Sequence, residues 1–180
     1  LERSLQLARD GGFHEQAARV YTNAGEHAVV FKEFQRAEQW LADGIAFDRE
    51  HDLHAWTYYL VGWLAQLRLD QGRFAEAESV AQEVLALPRL TAVMRLPALT
   101  VLACVRMRRG EPDADRLLGE ALDLARPTGE AQRLAPVVTA MAEAAWLRGD
   151  PAACVAALRH FDERHGTNVN PWAAGEIAAW

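Results

Sequence analysis

The sequence predicts an all-α chain built as an array of antiparallel helix pairs, and three observations carry that prediction. One pattern occurs four times: an Ala is followed at +3, +4, +7 and +8 by mostly apolar residues. The copies are Ala37/Trp40/Leu41/Gly44/Ile45, Ala77/Val80/Ala81/Val84/Leu85, Ala114/Leu117/Leu118/Ala121/Leu122 and Ala153/Ala156/Ala157/His160/Phe161. Those offsets share one face of an α-helix, and the first residues stand 40, 37 and 39 positions apart. Second, residues 1–9 match residues 41–49 at an offset of 40, with Leu1 on Leu41, Leu5 on Ile45, Leu7 on Phe47 and Arg9 on Arg49. The offset continues through His14 on His54 and Phe34 on Phe74. Third, no segment alternates as a strand would, and connections of a few residues favour antiparallel neighbours.

Taken in order, residues 1–12 read as the end of a truncated unit. Asp10-Gly11-Gly12 stops its helix, with Gly supplying the left-handed conformation after the last turn. Complete units follow at 13–50, 51–90, 91–127 and 128–166, and 167–180 begins another. In the first, helices are expected at about 14–31 and 34–48, and in the second at about 53–70 and 74–87. Pro88 marks an end, because proline lacks the donor a continuing helix needs. The third and fourth units share Pro97-x2-Thr100-x8-Arg109-Gly110-Glu111-Pro112 and Pro136-x2-Thr139-x8-Arg148-Gly149-Asp150-Pro151. There the Gly closes the first helix, the acid sits near the second helix's N-cap and the Pro takes its first turn. Thr91 and Thr128 suit N-caps of the first helices. If they cap, Pro97 and Pro136 lie inside those helices and free the carbonyls of Val93 and Gln132; otherwise each helix starts near its Pro. Asn168-x-Asn170-Pro171 reads as a breaker before a last helix. By this register the chain is a section of a longer array, cut at both ends.

The 180 residues amount to one domain's worth of chain, and the whole is expected to be a single helical-repeat domain. The net charge of −6 disfavours non-specific contact with phosphates or anionic lipid, so direct nucleic-acid binding and membrane attachment are not expected. No apolar run reaches the roughly 18 residues of a membrane span. Lys32 is the only lysine among 19 basic residues. Cys104 and Cys154 lack a CxxC or metal-type spacing and suit buried thiols in a reducing, cytoplasmic compartment.

A helix pair with a small residue midway in its first helix, Gly at the turn and Ala opening its second helix resembles the tetratricopeptide repeat. The best local match is Tyr21, Asn23-Ala24-Gly25, Phe34, Ala37, Leu41 and Gly44-Ile45. The later units keep the turn Gly and the second-helix Ala without the aromatic and Pro positions, and the period exceeds the usual one of about 34 residues. With that longer period the chain resembles the repeat region of bacterial signal-transduction ATPases and LuxR-type transcription regulators. The resemblance implies a right-handed superhelical array, a tetratricopeptide-like α-solenoid. It implies a non-catalytic domain that binds a protein or peptide partner, or senses a small effector, in a concave groove. The parent would be a larger regulator with a nucleotide-binding module before the repeats and often a helix-turn-helix after them. The alternative is a structural spacer with no ligand of its own.

Carrying the tetratricopeptide register over implies a groove lined by Arg19, Thr22, Glu26, Tyr59, Gln66, Thr100, Cys104, Thr139, Glu143 and Trp146. Of the Lys/Asn/Arg clamp that chaperone-type repeats use for a carboxylate, only Asn23 is in place, so that partner class is not expected. Catalytic chemistry finds no footing. There is no GxxxxGK[ST] loop; Cys104 and Cys154 have no nearby His; Ser4 and Ser79 lack nucleophile-elbow glycines. Glu111 and Asp150 sit at equivalent turns, where capping explains them. His51-x2-His54 carries enough donors for a metal, yet it falls at an expected turn, and His14 occupies the position of His54 without a second His. No cofactor or metal is expected. Exposed apolar faces at the cut ends, through Trp172, Trp180 or Leu1/Leu5, are expected to contact another copy at high concentration.

Overall fold

A computed structural model describes residues 1–165 and 171–180, with side chains for all of these except 162–165, 171–173 and 176. The Asn168–Asn170 breaker and the Trp172 side chain lie outside the described residues. What is described is all-helical: α1 (Glu2–Asp10), α2 (His14–Val30), α3 (Phe34–Glu50), α4 (His54–Asp70), α5 (Phe74–Leu85), α6 (Ala92–Arg108), α7 (Ala114–Ala125), a 3-10 turn (Arg126–Thr128), α8 (Ala131–Leu147), α9 (Pro151–His165) and α10 (Pro171–Ala178). Helices α2, α4, α6 and α8 are each 17 residues long.

Two compact units emerge, Leu1–Ala98 and Leu99–Trp180, and the division falls inside α6. In the first, consecutive helices pack in chain order from α1 to α5, and α2 also packs on α4. In the second, α8 packs on α7, α9 and α10.

The repeated Ala is fully enclosed at Ala37 and Ala77 and buried at Ala114. In α3 the pattern buries Leu41, Gly44 and Ile45 against Leu60, Trp63 and Leu67 of α4. Gly44 is required there: a Cβ would lie 2.8 Å from Leu60 Cδ1 and 2.9 Å from Tyr21 Cβ. A second cluster gathers Leu5 and Ala8 of α1 with Ala17, Tyr21 and Phe47. The pattern is looser at +3, where Trp40 and Val80 are only partly buried. In α9 the face is shifted, with Cys154, Ala157 and Phe161 buried and Ala153 half-exposed.

Six turns share one construction. After α1, α2, α3, α4, α6 and α8, the residue at C″ donates its N–H to the C3 carbonyl and the C′ residue donates to C2, the Schellman arrangement. The C″ bonds are Phe13 to Ala8, Glu33 to Ala28, Leu53 to Asp48, Arg73 to Arg68, Glu111 to Arg106 and Asp150 to Ala145. The C′ residue must be left-handed. Gly12, Gly72, Gly110 and Gly149 meet this without strain, whereas Lys32 and Asp52 adopt φ of 57° and 55°.

Pro97 and Pro136 lie inside α6 and α8. Thr91 Oγ1 accepts the Met94 N–H at 3.4 Å, as an N-cap does. Gly62 leaves room for Pro97, since a Cβ at Gly62 would lie 3.1 Å from the Pro97 Cβ. Two capping expectations are corrected. Thr128 belongs to the 3-10 turn, where its hydroxyl donates to the Ala125 carbonyl at 2.6 Å; Glu130 is the N-cap of α8. Glu111 turns to Arg106 and Arg109 instead of the start of α7, because two guanidinium groups on the preceding helix end outcompete a helix dipole. Asp150 does cap, accepting the Ala153 N–H at 2.9 Å.

Candidate functional site: the first-helix face

In the first unit the site is the seam between α2 and α4. Successive first helices place Glu26 and Tyr59 side by side, and the Tyr59 hydroxyl donates to Glu26 Oε2 at 3.1 Å. The Tyr59 ring meets Trp63 edge-on, with centroids 6.4 Å apart. Further along, Gln66 Nε2 donates to Asp70 Oδ1 at 3.1 Å, and Lys32 Nζ reaches Asp70 Oδ2 at 2.7 Å. The chain's single lysine thus pins the C-terminal ends of α2 and α4 together from a left-handed turn position. Arg19 is exposed on the same helix as Glu26. The other flank of α4 is a structural ion cluster. Arg68 forks onto both Glu38 oxygens at 2.7 Å, and its hydrogen bond holds the Glu38 carboxyl below the ordinary carboxylate value.

In the second unit Glu143 of α8 accepts Arg108 Nε and Nη2 of α6 at 2.7 and 3.0 Å. Trp146 is 62 % exposed, and its ring lies 5.9 Å from that of Trp180. Thr139 turns its hydroxyl back to the Ala135 and Pro136 carbonyls of its own helix.

The structure therefore joins Glu26 to Tyr59, ties Gln66 and Glu143 to ionic partners and leaves Arg19 and Trp146 open to solvent. Thr22, Thr100 and Cys104 are buried, so they cannot line a solvent-filled groove as the resemblance implied. Leu5 is likewise buried in the α1–α2 cluster, while Leu1 and Trp180 are exposed.

The histidines around the α3–α4 turn pack on aromatic neighbours. His51 packs on His14, with centroids 4.0 Å apart, and on Phe47 at 4.2 Å; His54 stacks on Tyr58. His51 Nδ1–H donates to the Phe47 carbonyl at 2.8 Å, which fixes the proton on Nδ1 because a carbonyl only accepts. His160 Nδ1 accepts from Arg126 at 2.8 Å. Cys104 and Cys154 are both buried. Among the described residues no helix is long and apolar enough to cross a membrane.

One group escaped the sequence reading. Asp48, near the end of α3, is completely buried, and neither carboxylate oxygen has a hydrogen-bond partner. Burial pushes its carboxyl from an ordinary 3.8 up to about 7, against a lowering pull from His51. The signal was present: Asp48 lies at +11 from Ala37, on the same helix face as Leu41, Gly44 and Ile45.

No protein-family model matches the chain, and no curated protein matches it.

Proposed function

We propose that the chain is a non-catalytic interaction or effector-sensing segment whose partner surface is the first-helix face. One observation supports this most: successive first helices of equal length carry paired polar and aromatic groups across their seams, Glu26 with Tyr59 and Glu143 with Arg108, beside the exposed Trp146. Each unit by itself offers a fixed carboxylate beside an aromatic group, a phenol in the first and an indole in the second, the groups that recognise peptide main chain and cationic or aromatic side chains. On this reading the helix pairs form a tetratricopeptide-like solenoid in the cytoplasm. The segment would belong to a larger bacterial transcription regulator or signalling ATPase, with nucleotide and DNA binding in other modules. A structural spacer is the second reading, favoured by the burial of Thr22, Thr100 and Cys104 and by the internal pairing of Glu143.

A random-peptide display selection on the folded chain, repeated on Tyr59→Phe, Glu26→Gln and Trp146→Ala, separates the two. Selected peptides should lose at least about tenfold in affinity, roughly 1.4 kcal/mol, with one or more of these variants. Selection that yields no binder, or binders indifferent to all three changes, supports the spacer.

A further inference from the structure

The α3–α4 turn contains a buried acid that the interaction reading does not use. Asp48 is 0 % exposed with both oxygens unpartnered, and it sits one turn beyond Gly44, which is clamped between Tyr21 and Leu60. Its own carbonyl is the C3 acceptor of the turn, taking the Leu53 N–H at 2.8 Å. Asp52, two residues past the end of α3, holds the strained left-handed position. The turn is thus fastened by main-chain bonds to the residue whose side chain is least suited to carry charge there.

We propose that Asp48 is a proton-controlled latch for the α3–α4 turn: with its carboxyl neutral the turn stays closed, and ionisation favours a state in which the last turn of α3 opens and the carboxylate reaches water.

The groups around this turn are few. Arg9 of α1 lies over the Phe47 ring at 5.9 Å and near the Tyr21 hydroxyl. His14 of α2 lies against His51, which follows Asp48 by one turn; His54 of α4 is stacked on Tyr58. Glu15, Arg49, Glu50 and Asp52 are exposed to solvent. His51 is the group whose charge acts on Asp48, and it opposes burial without overcoming it. An ordinary pairing of Asp48 is therefore missing on all sides, and opening supplies what the closed turn withholds: water.

The sign follows from proton binding. The closed state holds its proton up to about pH 7 and the open state gives it up near 3.8. Opening is then least favourable below pH 3.8, grows easier as pH rises towards 7 and levels off above it.

Amide hydrogen exchange of Leu53 reads the latch directly, because its N–H is bonded to the Asp48 carbonyl. Base-catalysed exchange alone rises about tenfold per pH unit, and the latch adds up to about another tenfold per unit below pH 7. Measured between about pH 5 and about pH 8.5, the Leu53 profile should be steeper than that of Asp150, which makes the same turn bond after α8, below about pH 7 and parallel to it above. Asp48→Asn should make the two profiles parallel throughout; if that variant does not fold, Asp48→Ala serves the same comparison. A carbon-13 titration of the wild-type carboxyl should place its midpoint near neutrality. Parallel profiles in the wild-type chain, steepening that survives in Asp48→Asn, or a carboxyl that titrates near its ordinary value would each overturn the latch.

Discussion

The two compact units solve the same packing problem with different chemistry. The first, Leu1–Ala98, places charged residues where backbone and burial are least permissive: Lys32 and Asp52 at left-handed turn positions and Asp48 inside the helix layer. The second, Leu99–Trp180, closes α6 and α8 with Gly110 and Gly149, and the described buried residues there are apolar apart from Thr100, with many alanines in α8, including Ala135, Ala142, Ala144 and Ala145. The helix-pair framework is thus secured by main-chain geometry and small residues, and side-chain polarity is added to it rather than required by it. The strained positions of the first unit have counterparts in the array: Lys32 is the register equivalent of Gly72, and Asp52 of Gly12.

Breaking the framework itself should have the largest effect. Gly44→Ala forces a Cβ against the Tyr21 Cβ, which cannot rotate away, and should destabilise the first unit by about 1–3 kcal/mol in urea unfolding. A stability equal to wild type would show that the α2–α3–α4 core is less tightly closed than described.

Exchanging turn chemistry between the units tests the comparison more finely. Asp52→Gly should stabilise by about 1 kcal/mol, since it relieves a left-handed L-residue, and Gly149→Ala should destabilise by a similar amount. No side-chain clash complicates the second change, because nothing lies within 4 Å of a Cβ there. Thermal unfolding of both variants should therefore shift in opposite directions; shifts of the same sign would mean that turn strain does not separate the units.

The smallest expected effect is at the Arg108–Glu143 pair. It is partly exposed, so Arg108→Ala should lose less than about 1 kcal/mol, and less still in high salt. A larger, salt-insensitive loss would reveal a role for Arg108 beyond the ion pair.

Much of the fold was legible because the helix face repeats. Offsets of 3, 4, 7 and 8 located all four second helices, and the turn glycines Gly72, Gly110 and Gly149 marked where first helices stop. The insertion of Pro97 and Pro136 into helices was left open by sequence and is resolved by packing: Gly62 makes room for one proline, and Thr91 caps ahead of it. What sequence missed was which member of a polar set turns inward. Thr22 and Glu26 lie one turn apart on α2, yet only Glu26 finds Tyr59, because that choice depends on the neighbouring helix and not on α2. Asp48 was overlooked for a related reason. A carboxylate on an apolar stripe reads as the stripe's end until the helix is seen to continue to Glu50.

The six matching turns have a consequence for how such a chain can change. Each reversal is written in main-chain bonds plus one left-handed residue, so it carries no memory of the helices it joins. Joints of that kind are interchangeable parts. A unit bounded by them can be copied, deleted or exchanged with another without redesigning its connections, and the seams alone, where Tyr59 meets Glu26 or Arg108 meets Glu143, decide which neighbours are compatible.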